Sequence, residues 1–283
     1  MSKWYSSSKK RGTTGGNTYS IVNGQTIERE KAVSVKNPRT ALQMSQRVKW
    51  ANLIFFWTLS GEAMLKGFIN KKRNQSWFNA FMSLNLGQPG TFLTKQEADA
   101  KTCIAAPYYV ARGPLSPVPF VYDDNTAIII NVEVGSTEPT TLGALSSLFV
   151  NQLNGFQNGD KICVINAVKD NATSSIIRAI EKFEFVLNTE SSSSLPSFVN
   201  IPGSGTSQDP FILKFKLDGG IGDGCNSVAV VHTRKVANKV QTSTAKMLIS
   251  GTAGDDHRTD AYKAQAIASY ETEPAVFYDP DAE

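Results

Sequence analysis

One stretch constrains this chain more than any other. From Asn37 to Leu86 it reads NPRTALQMSQRVKWANLIFFWTLSGEAMLKGFINKKRNQSWFNAFMSLNL, the longest helical pattern present. Asn37 or Thr40 can cap its start, Pro38 suits the first turn, and Thr40 with Gln43 has capping-box spacing. On a 3.6-residue wheel Ala41, Met44, Val48, Ala51, Phe55 and Leu59 share one face. The far side begins polar, with Gln43, Gln46, Arg47 and Lys49, and then turns apolar through Leu53, Ile54, Phe56 and Trp57. A helix apolar all round must be covered on every side. The run is too short and too polar-flanked for a membrane span. The cover is therefore the rest of this protein or another copy of it, and Phe56 and Trp57 are the first residues expected at a contact between copies.

Gly61 is expected to end or kink this helix, with Glu62 to Lys72 resuming it. The basic run Lys71, Lys72, Arg73 suits a helix C-terminus. Ser76 restarts a short helix carrying Phe78, Phe81 and Met82 on one side, and Gly87, Pro89 and Gly90 close the region.

The chain's 283 residues suffice for a sizeable core, and only 19% are charged. That charge is unevenly spread. Residues 1–50 carry ten basic groups against two acidic ones, a net of +8, whereas Asp255 onward carries eight acidic against two basic, a net of −6. Ends of opposite sign can set orientation in a head-to-tail assembly, or can be two solvated tails. Cys103, Cys163 and Cys225 show neither a disulfide framework nor zinc spacing, which suits a reducing compartment. No signal peptide or membrane-spanning pattern is found, and no membrane partner is expected.

Residues 1–36 read as an extended polar and basic arm, ordered on assembly or left as a tail. Within it Tyr19 to Val22, turned by Asn23-Gly24, can add a strand to a neighbour. Residues 37–90 form the helical region, 91–250 a β-rich domain, and 251–283 a C-terminal helix with an acidic tail. Strands are expected near Val118–Tyr122, Ala127–Val134, Lys161–Val168, Lys182–Leu187, Phe211–Leu217, Ser227–Arg234 and Val240–Leu248. Helices are expected at Leu142–Leu153 and Asp260–Tyr270. Without βαβ alternation the class is α+β: an N-terminal helical layer followed by a mostly antiparallel β-sandwich or barrel with one or two further helices.

Candidates for chemistry are few. His232, in the apolar run VAVVHTR, suits a satisfied structural histidine better than a base. His257 in GDDHR can meet a metal only with Asp255 and Asp256, three ligands on one turn. The GGIGDG run at Gly219–Gly224 lacks a phosphate loop's strand-then-helix setting. No catalytic residue, metal or cofactor is expected. The clusters Lys9-Lys10-Arg11 and Lys71-Lys72-Arg73 suit non-specific contact with DNA, as in the lining of a DNA passage. In the tail, Phe277 and Tyr278 stand among acids like an anchor for another surface.

The helix opening NPRTALQMSQRVKWAN, with its T-x-x-Q-x-x-QR pattern, resembles structural proteins of crAss-like tailed phages of Bacteroidota and related proteins in their hosts. KGFINKKRNQSWFNAFMSLNL continues that resemblance. So do YYVARGPLSPVPF at Tyr108–Phe120, GFQNGDKICVI at Gly155–Ile165 and VAVVHTRKVANKVQTSTAKM at Val228–Met247. The resemblance implies a virion component made in the bacterial cytoplasm, a homo-oligomeric ring of the head–tail connector or tail barrel. Its implied partners are portal or other ring proteins and packaged DNA. The alternatives are a decoration or fibre-attachment protein, or a carbohydrate-binding sandwich using Tyr108, Tyr109 and Tyr122.

Overall fold

The structure, a computed structural model, describes residues 3–4, 10–22, 24–31, 40–61, 65–88, 90–123, 127–133, 139–169, 175–196, 199–200, 212–216, 227–237, 239–249 and 256–270. The chain divides into two units, one containing Met1–Thr40 and a larger one of Ala41–Thr272.

The first unit holds a four-stranded antiparallel meander: β1 (Lys3–Trp4), β2 (Lys10–Thr14), β3 (Asn17–Val22) and β4 (Gln25–Glu30). Tight turns make it possible. Gly15 at φ +59° and Gly24 at φ +82° take the left-handed conformation that hairpin turns need. Asn17 and Tyr19 both donate to the Glu28 carboxylate across the sheet. The strand expected at Tyr19–Val22 is present, and its partners come from this same chain.

In the larger unit α1 (Ala41–Ser60) begins directly after Thr40. Gly61, at φ +69°, ends it. Of the helix expected to resume over Glu62–Lys72, Glu62, Ala63 and Met64 lie outside the described residues, Leu65 is helical, and the chain turns from Lys66 onward. Gly67 turns at φ +89°, and Ile69 forms a parallel bridge with Arg112 instead. Ser76 then caps α2 (Trp77–Asn85) by accepting from the Asn79 amide. Thr94 and Glu97 form a capping box on the short α3 (Lys95–Asp99).

The β-rich part contains β5 (Tyr109–Ala111), β6 (Phe120–Asp123), β7 (Ala127–Glu133), α4 (Leu142–Gln152), β8 (Lys161–Lys169) and β9 (Ile177–Val186). It continues through β10 (Val199–Asn200), β11 (Ile212–Lys216), β12 (Ser227–Val236), β13 (Lys239–Thr242), β14 (Ala245–Lys246) and β15 (Leu248–Ile249), and α5 (Asp260–Ala268) follows. The principal sheet runs β13-β12-β8-β9, with β15 also on β12; a second runs β10-β11-β7-β6, and β14 pairs with β5. Every named strand pair is antiparallel. The α+β expectation holds.

Strands β8 and β12 explain the layering. Each carries a run of consecutive apolar residues, ICVI in β8 and VAVV in β12, because both faces of their sheet are buried there. Cys163, Ile165, Ala229 and Val231 point toward Leu53 and Phe56 of α1 and Phe81 of α2. Ile162, Val164, Val228 and Val230 point the other way, onto Leu145 and Phe149 of α4 and Val132 of β7. A third, smaller cluster joins Val48 of α1 to Phe92 and Ala266 of α5.

Candidate interaction surface

Helix α1 has two apolar faces. Its inner face is Met44, Val48, Asn52, Leu53, Phe56 and Ser60, all buried. The polar pair on this face is satisfied: Asn52 donates to the Ile104 carbonyl and to Tyr108 Oη and accepts from the Ile104 amide, while Ser60 donates to the Trp57 carbonyl. Its outer face carries Leu42, Trp50 and Ile54, with exposures of 83%, 38% and 38%. Gln43, Gln46 and Arg47 flank these side chains, and Ala51 and Phe55 border them. Single exposed apolar residues are ordinary, but Leu42, Trp50 and Ile54, spaced by multiples of four along one ridge of the helix, form a stripe that water meets at a cost.

This arrangement corrects the expectation for Phe56. With 0% exposure, it stacks on Phe81 at a 5.9 Å centroid distance and meets Tyr108 edge-on, so no partner can reach it. Trp57 is half-buried against Phe78 and Phe81. Phe277 and Tyr278 lie outside the described residues. So does Lys9, while Lys10 and Arg11 sit on β2, with Arg11 exposed. Lys71, Lys72 and Arg73 are exposed on a turn rather than at a helix end, with Lys71 5.3 Å over the Trp77 ring. Tyr108 is buried, which removes it from any sugar-binding face, and Tyr109 is half-buried.

The histidines are structural ties. His232 is fully buried on β12; its Nδ1 meets the Ser116 carbonyl at 2.9 Å and its Nε2 meets Asp160 Oδ2 at 2.8 Å. Its ring stacks on Phe156 at 4.1 Å. Arg234 grips both Asp160 oxygens and the Gly155 carbonyl. Burial pushes the Asp160 carboxyl upward, but the bonds from Arg234 and His232 outweigh it and hold it below the usual carboxylate range. Three of the stretches that carry the phage resemblance, those containing Ser116, Asp160 and His232, meet at the His232 ring. With both ring nitrogens engaged and no solvent access, His232 is not placed to act as a base.

His257 does not assemble a metal site with Asp256. Its Nε2 lies 3.0 Å from Glu97 Oε1, which also accepts from Tyr262 Oη at 2.7 Å. Burial raises the Glu97 carboxyl; bonds from Tyr262, Thr94 and His257 lower it further, below the usual range. This knot fastens α5 to α3. No group of three metal-ligating side chains occurs among the described residues, and Asp255 lies outside them. Burial pushes the thiols of Cys103 and Cys163 up to about 12 and about 11, values that leave them unreactive. No helix among the described residues is long and apolar enough to cross a membrane.

A model of a family of unknown function, DUF6266, matches residues 6–92. The match takes in most of the small meander and all of α1 and α2, and stops before α3. No curated protein and no solved structure matches the chain.

Proposed function

We propose that this chain is a virion structural subunit that self-assembles into a ring in the neck or tail of a tailed phage. The ring stacks between portal or other ring components around the DNA passage. The observation that carries self-association is the outward stripe of α1, Leu42, Trp50 and Ile54, on a helix whose inner face is already filled. Its occupant in this reading is another copy. Closed rings use unlike faces of successive subunits, and chain ends of opposite charge supply a second means of orienting them. The place in a phage neck or tail rests on the sequence resemblance alone.

Light-scattering mass and negative-stain electron microscopy of the purified protein test the reading together. Rings with a central hole are expected for the wild type. The double variant Trp50→Asp with Ile54→Asp should give a folded monomer with an unchanged circular dichroism spectrum. A wild type that stays monomeric at high concentration, alone and with a phage portal ring, overturns the proposal. Rings that persist in the double variant reject α1 as the contact.

A further inference from the structure

A second surface of the larger unit is polar and carries one sign of charge. Lys72 and Arg112 line a groove of about 150 Å³ together with Asn70, Gln75 and Ser83. Its walls are held in place by backbone bonds. Ile69 and Arg112 form a parallel bridge, the Arg112 amide donates to the Phe68 carbonyl at 2.9 Å, and the Asn70 amide donates to the Arg112 carbonyl. The Lys72–Gln75 turn is closed twice: the Gln75 amide donates to the Lys72 carbonyl, and the Lys72 amide donates to Gln75 Oε1. Asn74 completes it at φ +67°. Helix α2 supplies the opposite wall through Ala80, Ser83 and Leu84.

The surrounding sequence is free of acid. Residues 63–96 and 100–122 hold Lys66, Lys71, Lys72, Arg73, Lys95, Lys101 and Arg112 and neither Asp nor Glu. Among the described residues neither Lys72 nor Arg112 makes an ion pair. Two cations with amide and hydroxyl donors match a phosphate group, whose oxygens accept from Arg, Lys, Asn, Gln and Ser alike. The exposed Lys71 and Arg73 extend the charge past the groove, more than a lone anion would use.

We infer that this groove binds a phosphate of a nucleic-acid backbone, with Lys72 and Arg112 as its cations and the flanking lysines and arginine following the strand. A monomer is sufficient for this binding, so it stands apart from self-association.

The test is fluorescence anisotropy with a short labelled DNA duplex across a salt series. Lys72→Gln and Arg112→Gln, both at exposed positions, should each weaken binding several-fold and flatten the slope of log K against log salt by about 0.9. Arg178→Gln and Lys235→Gln, exposed cations on β9 and β12, should leave both quantities near wild type. Equal losses in all four variants would mean net charge alone acts, and the site is rejected. Absence of duplex binding at low salt rejects it too. Displacement of the duplex by polyglutamate as readily as by unlabelled DNA reassigns the groove to acidic protein. Saturable binding of inorganic phosphate lost in both groove variants, with duplex binding intact, reassigns it to a free anion. Either result overturns the nucleic-acid inference.

Discussion

The inner and outer faces of α1 have similar chemistry and opposite fates. Leu53 and Phe56 face inward and are closed off by α2, Tyr108 and the principal sheet; Trp50 and Ile54, on neighbouring positions, face outward and keep more than a third of their surface. Apolarity therefore marks a residue as needing cover and does not say whether the cover lies in the same chain. The comparison also divides the work: the inner face carries stability, while the outer face adds little to the packing of the subunit and is the surface that the proposed assembly would use.

The largest effect expected on that comparison comes from Phe56→Ala. It empties the space between Phe81 and Tyr108 and should lower unfolding stability by about 3–5 kcal/mol, read by denaturant titration. A loss below about 1 kcal/mol would show that the inner face is not core in the sense of buried side chains elsewhere. Asn52→Ala comes next, at about 2–3 kcal/mol, because it strands the Ile104 amide and carbonyl in a dry interior. If Asn52→Leu were more stable than wild type, the polar tie would be a cost the helix carries rather than a support.

The principal sheet repeats the contrast with charged groups. Asp160 is buried under bonds from His232 and Arg234, whereas Glu184 pairs with Lys161 and Lys182 in partly exposed positions on β8 and β9. Both carboxyls sit below their ordinary range, Asp160 through Arg234 and His232 overcoming burial, and Glu184 chiefly through Lys161. A depressed folded value gives stability that is complete above the unfolded carboxylate value, about 4, and is lost as pH falls through the folded value. The wild type should therefore lose stability on acidification below about pH 4, and Asp160→Asn, weaker at neutral pH, should lose less over that window. Glu184→Gln should cost under about 1 kcal/mol at neutral pH, as surface pairs do. Equal costs for the two substitutions would erase the distinction between buried and outward pairs.

How far the sequence foretold this follows from the same distinction. The continuous apolar runs of β8 and β12, the Ser76 cap of α2 and the stop at Gly61 were readable, because each depends on local pattern. The inner face of α1 was not. The wheel grouped Ala41, Met44, Val48, Ala51, Phe55 and Leu59, yet the buried line is Met44, Val48, Asn52, Phe56 and Ser60, spaced by four. A hydrophobicity pattern passes over Asn52 and Ser60, whose burial depends on partners at Ile104, Tyr108 and Trp57. The small meander hid for a related reason: its described side chains are exposed or half-buried, so it shows no apolar alternation strong enough to read. The phosphate groove needs Arg112 beside Lys72, a pairing 40 positions apart that only the Ile69–Arg112 bridge creates.

The smallest expected effect is the sharpest test of the two faces. Trp50→Ala removes a side chain that keeps 38% of its surface exposed, so its unfolding free energy should change by less than about 1 kcal/mol. Phe56→Ala should change it several times more, although both substitutions delete an aromatic ring from one helix. Measured below the concentration at which copies associate, the near-silence of Trp50→Ala would leave its ring with no task inside the subunit. Above that concentration the ranking should invert for assembly: Trp50→Ala weakens it directly, whereas Phe56→Ala acts only by depleting folded chains, a loss that stabilising osmolytes restore. If osmolyte rescued both variants equally, Trp50 would belong to the core and the division of α1 into two faces would fall.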